Sequence, residues 1–234
     1  MPQRLRAVLA AGALVSCVVL QDANALPRAP HAEVGALFAG DADELTGGHF
    51  CTASVVHSPG RNLIVTAGHC LAEGDDVSFA PGYRDGTAPY GLWRVDRVFA
   101  DAAWTDAEDE DHDLAFATVE PREGRRIEDV TGANTLAADG RTGREVTLTG
   151  YPSAEEAPRT CTATPAAFRR TQQRIACPDF STGTSGSPWV DSGGRITGVL
   201  GGYLGGGDSP DVSYSVLLDG RAAALYREAT RPSP

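Results

Sequence analysis

The chain has 234 residues, 41% hydrophobic and 22% charged, which suits one or two compact units and excludes a disordered chain. Glycine occupies 27 positions, about 12% against a typical ~7%, with no three-residue period; collagen is excluded, and short strands with many turns are favoured over a helical bundle. The net charge is −11 and all 20 basic residues are arginine, so the basic patch that begins a nucleic-acid footprint is missing.

Residues 1–25 read as an export signal. Arg4 and Arg6 give the positive start, Ala7 to Leu20 form the apolar run, and Ala23-Asn24-Ala25 is a small-x-small cleavage site, so the mature chain is expected to begin at Leu26 with 26–33 as a short extension. That run is shorter than the ~20 apolar residues of a spanning helix, and no later segment approaches that length. Leu14-Val15-Ser16-Cys17 also resembles a lipoprotein processing site. The apolar run continues past Cys17 through Val18-Val19-Leu20, which favours an ordinary signal and free secretion.

In chain order, the first half offers strands at Val34–Gly40, His49–His57, Asn62–Cys70, Asp76–Gly82, Gly91–Asp101 and His112–Glu120. A polar linker covers 121–143. Six further strands follow at Arg144–Pro152, Thr160–Arg170, Arg174–Phe180, Gly186–Ser192, Arg195–Gly206 and Val212–Leu218. Two groups of six suggest an all-β chain of two small antiparallel barrels, one over about 34–120 and one over about 144–218, because closure removes exposed edges. Only Asp219–Thr230, with Ala222, Leu225 and Tyr226 at helical spacing, reads as a helix, and it opens a C-terminal segment over 219–234.

Outside the signal there are four cysteines, Cys51, Cys70, Cys161 and Cys177, an even number suited to an oxidising compartment. Three connectivities are possible; 51 with 70 and 161 with 177 are the local pairs. A zinc site competes weakly, since no C-x-x-C or H-x-x-x-H spacing gathers four ligands.

Three places concentrate chemistry. Thr66-Ala67-Gly68-His69-Cys70 ends an apolar run and fixes a histidine beside a cysteine. Asp111-His112-Asp113-Leu114-Ala115-Phe116 carries a carboxylate into an apolar strand, where it is costly unless hydrogen-bonded. Gly183-Thr184-Ser185-Gly186-Ser187-Pro188-Trp189 sets a serine between glycines. Each alone has a plain structural reading: a semi-buried histidine, a strand-end acid, a turn. Together they weigh differently. A serine hydroxyl is a poor nucleophile until an imidazole takes its proton, and that imidazole needs a carboxylate to fix its tautomer. All five histidines precede Ser185, which excludes the Ser, Asp, His order of α/β-hydrolases and leaves His69, Asp113, Ser185 as the satisfactory order. The flanking glycines permit a turn that aims amide N–H groups at a developing oxyanion.

In this order the motifs resemble the trypsin/chymotrypsin-like serine peptidases, especially the secreted bacterial branch with a Gly-Thr-Ser-Gly-Ser-Pro nucleophile motif. The resemblance rests on His49-Phe50-Cys51 leading to Thr66–Cys70, on His112–Ala115, on Gly183–Pro188, and on Gly198-Val199-Leu200-Gly201-Gly202-Tyr203. It implies a double β-barrel with the site in the cleft between barrels, a Cys51–Cys70 disulfide, and an oxyanion hole from the N–H groups of Gly183 and Ser185. It also implies polypeptide substrates, a monomer, and no metal or organic cofactor. Many animal members carry aspartate just before the nucleophile, where it receives a new N-terminal ammonium; Thr184 stands there, so that activation switch is not expected. The resemblance further implies that the residue six positions before the nucleophile, Asp179 here, forms the base of a specificity pocket, and hence a preference for arginine. Gly201, Gly202 and Tyr203 are expected along the substrate.

Other residues take plainer readings. A solvated acidic loop accounts for Asp106, Glu108, Asp109, Glu110 and Asp111, and for Glu73, Asp75 and Asp76, better than a calcium site, since no ligand spacing with a turn glycine appears. His57 and His112 read as surface or support residues, and Trp93, Trp104 and Trp189 as core or cleft wall. Two other functions use the same residues: a binding module that holds a partner in the cleft without turning it over, and an esterase.

Overall fold

The computed structural model describes residues 29–40, 45, 48–71 and 76–231; the signal segment, Cys17, Glu73 and Asp75 lie outside them. Six strands, β1 (Val34–Ala39), β2 (His49–Val56), β3 (Leu63–Thr66), β4 (Val77–Pro81), β5 (Trp93–Ala100) and β6 (Ala115–Val119), close into an antiparallel barrel in the order β1-β2-β3-β6-β5-β4. Alternate residues face inward: Cys51, Ala53 and Val55 of β2 meet Leu37, Ile64, Phe79 and Trp93 in its core. The outer face is covered as well. Leu63, Val65 and Phe116 pack on Ile196 and Val199 of the second half. Burial on both faces explains why β3 and β6 read as continuous apolar runs.

Between the halves the chain is more structured than a polar linker. A short helix, α1 (Ala102–Ala107), already stands between β5 and β6 of the first barrel, and the connection over 121–143 contains α2 (Ile127–Thr131) and β7 (Thr135–Leu136). The expectation of a single helix is therefore corrected. Helices of five and six residues are too short to display periodicity, and α1 is fixed by its cap, the Asp101 carboxylate accepting the Ala103 N–H at 2.8 Å. Asn134 bonds to β2, and β7 pairs in parallel with β13 (Arg195–Val199), so the connection ties both halves together.

The second half forms β8 (Val146–Gly150), β9 (Arg159–Ala163), β10 (Ala166–Ala167), β11 (Gln172–Ala176), β12 (Pro188–Asp191), β13 and β14 (Val212–Val216). They hydrogen-bond as two sheets, β7-β13-β12-β8-β9 and β10-β11-β14. The expected strand over 160–170 breaks between β9 and β10, where Pro165 has no N–H to give a ladder. The other seam, between β13 and β14, is bridged largely by side chains. Ser215 Oγ accepts the Val199 N–H at 2.9 Å, Gln173 Nε2 donates to the Thr197 carbonyl at 2.8 Å, and one backbone bond runs from Gly201 to Tyr214. Ser215 and Gln173 are fully buried, so these bonds replace a ladder out of water.

The C-terminal helix, α3 (Gly220–Ala229), begins at Asp219, whose carboxylate accepts the Arg221 N–H at 2.8 Å. It crosses back to the first barrel, where Ala222, Leu225, Tyr226 and Ala229 join the cluster around Phe116. Both disulfides link local pairs, Cys51–Cys70 and Cys161–Cys177.

Candidate active site

His69 lies on a single 3-10 turn, Gly68–Cys70, directly after β3, with Cys70 bonded to Cys51 on the neighbouring strand. Trp104 of α1 lies against Gly68, its ring centroid 6.3 Å from that of His69. Asp113 follows a second 3-10 turn, Glu110–His112, capped by Asp109. Its side chain is fully buried and accepts three N–H bonds: Oδ1 from the His69 backbone at 2.9 Å, and Oδ2 from His69 Nδ1 at 2.8 Å and from Gly202 at 2.7 Å. A carboxylate so held fixes the imidazole with its proton on Nδ1 and leaves Nε2 free to accept.

The Ser185 loop is locked one peptide plane at a time. Ser153 donates to the Thr182 carbonyl from its N–H (2.8 Å) and its hydroxyl (3.1 Å), and Ser187 does the same to the Thr184 carbonyl (3.0 and 2.6 Å). Each of these carbonyls belongs to the peptide whose N–H is that of Gly183 or Ser185. In a trans peptide the N–H points opposite the carbonyl, so both N–H groups face away from these anchors, and neither has a hydrogen-bond acceptor among the described residues. Gly183 and Gly186 adopt φ of +94° and +86°, and a Cβ on them would overlap Ser153 and the Thr52 carbonyl respectively, which is why glycine stands at both. Thr184 is buried and bonds within its own turn, to Ser181.

Ser185 and His69 line one cleft of about 560 Å³ between the two halves, with Phe50, Phe180, Leu200 and Pro210 as apolar wall. The Ser185 hydroxyl hydrogen-bonds the Gly205 carbonyl at 3.5 Å rather than His69. Gly205 to Gly207 form the cleft edge, and Asp208 is the lining carboxylate.

The pocket expectations are corrected here. Asp179 lies outside the cleft, at φ +65° in a turn, with its side chain 65% exposed and paired to Arg159 at 3.4 Å. Its neighbours dictate this: the Phe180 N–H bonds the Pro210 carbonyl and Cys177 is tied to Cys161, which turns the segment outward before Ser181 reaches the wall. Gly202 uses its N–H on Asp113, and Gly201 and Tyr203 also lie away from the cleft wall. The Tyr203 ring packs on Phe168 and Tyr214 beneath the Arg169 guanidinium.

Sequence reasoning missed Gln172, Glu110, Ser153 and Thr52. Gln172 is fully buried; its amide oxygen accepts the Tyr203 N–H at 2.9 Å and its NH₂ donates to Asp111 at 2.7 Å, while Glu110 accepts the Leu204 N–H at 2.8 Å. These bonds join the Asp113 turn to the segment after Gly202. Burial alone would raise the Asp111 carboxyl, but hydrogen bonds from Gln172 and Thr171, with the charges of Arg221 and Arg169, hold it below the ordinary carboxylate range. His57 pairs with Glu128 at 2.6 Å on the surface, and His112 lies between Asp101 and Arg221. Trp93 and Trp189 are core. Among the described residues the group that approaches metal-ligand geometry is Cys51, His69 and Cys70, but its sulfurs are joined as a disulfide and offer no thiolate.

The trypsin-like peptidase domain family matches residues 51–199, and the chain belongs to that family, as a serine-type endopeptidase. Among solved structures it is similar to the protease Anisep from Arthrobacter nicotinovorans, with 27% identity over 86% of this chain and 96% of that one and a TM-score of 0.74. A thermostable serine protease from an extremophilic microorganism is similar at 27% identity, 86% and 97% coverage and a TM-score of 0.74. A Glu endopeptidase shares the fold at 18% identity, over 87% and 92%, with a TM-score of 0.70. No curated protein matches the chain.

Proposed function

We propose that this is a secreted endopeptidase that cleaves peptide bonds through an acyl-enzyme on Ser185. The observation that carries the reading is the buried Asp113 carboxylate holding His69 Nδ1 at 2.8 Å, beside a cleft lined by His69, Gly183 and Ser185, where the N–H groups of Gly183 and Ser185 have no acceptor among the described residues. On substrate binding the Ser185 hydroxyl exchanges its weak Gly205 contact for His69 Nε2, a tightening common between free and substrate-bound enzymes. Nε2 takes the proton as Oγ attacks the carbonyl carbon. The N–H groups of Gly183 and Ser185 receive the oxyanion, each donor contributing on the order of 10²–10³ in rate. His69 then gives the proton to the leaving amine, and a water repeats the sequence to release the acid. Asp113 stays ionised throughout and stabilises the imidazolium.

Export is supported by the two disulfides, and the processing expected before Leu26 belongs to this proposal. Among the described residues no helix is long and apolar enough to cross a membrane. Because Thr184 is closed on Ser181, an ammonium-triggered activation has no carboxylate to use at that position. The preference for a basic side chain is reassigned from Asp179 to Asp208, the carboxylate that lines the cleft.

The test is a peptide-library cleavage profile and fluorophosphonate labelling of the wild type beside Ser185→Ala. Cleavage and labelling that vanish in the variant, with its melting temperature unchanged, are expected. Labelling of the variant at wild-type level refutes the assignment, cleavage of esters but not peptides makes the enzyme an esterase, and binding without turnover makes it a binding module.

A further inference from the structure

β2 presents an alternation that the barrel core does not explain. Cys51, Ala53 and Val55 point into the first barrel, and Thr52 and Ser54 between them point the other way yet are fully buried. A buried hydroxyl needs partners, and the Thr52 hydroxyl finds both of its own in the second half of the chain. Its N–H donates to the Ser185 carbonyl at 2.7 Å. Its hydroxyl donates to the Gly183 carbonyl at 3.1 Å and accepts the Tyr151 N–H at 2.9 Å. Its own carbonyl accepts the Thr66 hydroxyl at 2.7 Å.

We infer that Thr52 is a positioning residue for the reaction, its side-chain hydroxyl setting from the first barrel the amide orientation of the oxyanion site in the second; the inference rests on the proposed role of Gly183 and Ser185. The planes that present the two N–H groups are those ending at Thr182 and Thr184. Between and after them lie the planes ending at Gly183 and Ser185, and Thr52 holds the carbonyl of each. Those two carbonyls are gripped on their other side through the Thr184 N–H on Ser181 (3.1 Å) and the Gly186 N–H on Leu200 (2.7 Å). With the alternate planes fixed, the torsions at Gly183 and Ser185 have no freedom to swing the N–H groups out of the cleft. The hydroxyl adds a second constraint. By accepting from Tyr151 it locates the strand end that leads to Ser153, the residue anchoring the carbonyl behind the Gly183 N–H. At Gly183 this matters most, because glycine has the widest choice of backbone conformations.

Thr52→Val removes the hydroxyl and keeps the shape; Thr52→Ser keeps the hydroxyl and removes the methyl. For Thr52→Val we expect kcat on a peptide amide to fall on the order of 10-fold to 100-fold, less than deleting a donor outright, with KM within about twofold, the pattern for an interaction strengthened in the transition state. A peptide aldehyde, which adds to Ser185 and places an oxyanion in the site, is expected to lose affinity in parallel with kcat, while a product peptide binds as before. Thr52→Ser is expected within about threefold of the wild type. The inference is overturned if Thr52→Val keeps the wild-type kcat, if aldehyde and product peptide weaken together, or if Thr52→Ser is as damaged as Thr52→Val, which would make the methyl the source. Failure of both Thr52→Val and Thr52→Ala to fold, with Thr52→Ser folded, would also overturn it by making the hydroxyl a folding determinant. A wild type that neither turns over nor labels at Ser185 refutes the proposed function instead.

Discussion

Replacing Asp113 by asparagine keeps the volume and removes one acceptor. The carboxylate accepts three N–H bonds at 2.7–2.9 Å, and its side chain has no exposure, so solvent cannot take over any of them. An amide offers one oxygen. With that oxygen in the Oδ1 position, the NH₂ faces the Gly202 N–H and His69 Nδ1; the imidazole responds by moving its proton to Nε2 and accepting at Nδ1. With the oxygen at Oδ2, the NH₂ meets the His69 backbone N–H. Either orientation leaves a buried donor without an acceptor, which costs about 1–3 kcal/mol of stability. The first also makes Nε2 a donor, unable to take the Ser185 proton. Loss of the correct tautomer lowers kcat by about 10⁴ in the Ser-His-Asp template, or roughly 5.4 kcal/mol of barrier. The assay is kcat for a peptide anilide at neutral pH beside a thermal melt, with nitrogen NMR of His69 to read the tautomer. A folded Asp113→Asn enzyme whose His69 Nδ1 has lost its proton but whose kcat stays within tenfold of wild type would refute the reasoning.

Asp208 lines the cleft and is exposed, so under the proposed role, screened by water, it is expected to favour arginine over alanine by about fivefold in kcat/KM, and Asp208→Ser to abolish that margin on matched peptides ending in Arg, Ala, Phe and Glu. Equal use of Arg and Glu by the wild type refutes it. Asp191 contributes to the acid limb of stability. Burial would raise its carboxyl, but Arg195 and the N–H groups of Gly193 and Arg195 overcome this and hold it low. Its stabilisation is therefore complete above the unfolded value of about 3.9 and is lost as pH falls through the lower folded value. Asp191→Asn is expected to lose about 1.5–3 kcal/mol at neutral pH and to show a flatter decline below pH ~4; urea midpoints that fall in parallel for both proteins across that window count against it.

The three motifs and the strand pattern were legible because each leaves a local mark. Apolar runs, a histidine beside a half-cystine and a glycine-flanked serine depend on neighbours within a few residues. The buried Asp113 carboxylate holds His69 Nδ1 at 2.8 Å, and His69 and Ser185 line one cleft. What was not legible depends on distant partners. Asp179 was located by counting along the chain, but the Cys161–Cys177 bond and the Phe180 to Pro210 hydrogen bond set the path there, and they turn it outward. Gln172 falls between the strands expected over 160–170 and 174–180; only the return of Tyr203 and the Asp111 carboxylate to the same point makes its burial possible. Thr52 did leave a mark, a hydroxyl within an apolar run, but its meaning required the second barrel. The bond from Ser185 to Gly205 depends on three consecutive glycines taking positive φ, a choice that local sequence leaves open.

Helix α3 has a consequence for how the molecule is assembled. The Tyr226 hydroxyl bonds the His57 carbonyl across 169 residues, and Ala222 and Ala229 cover apolar surface around Leu63 and Phe116 that belongs to the first barrel. The earliest barrel to leave a ribosome or translocon is therefore the last to be sealed. Until α3 arrives, that surface stays wet and adhesive, and contacts of such long range form slowly. Once docked, the same helix straps the second half to the first barrel, so pulling the halves apart requires first peeling α3 away.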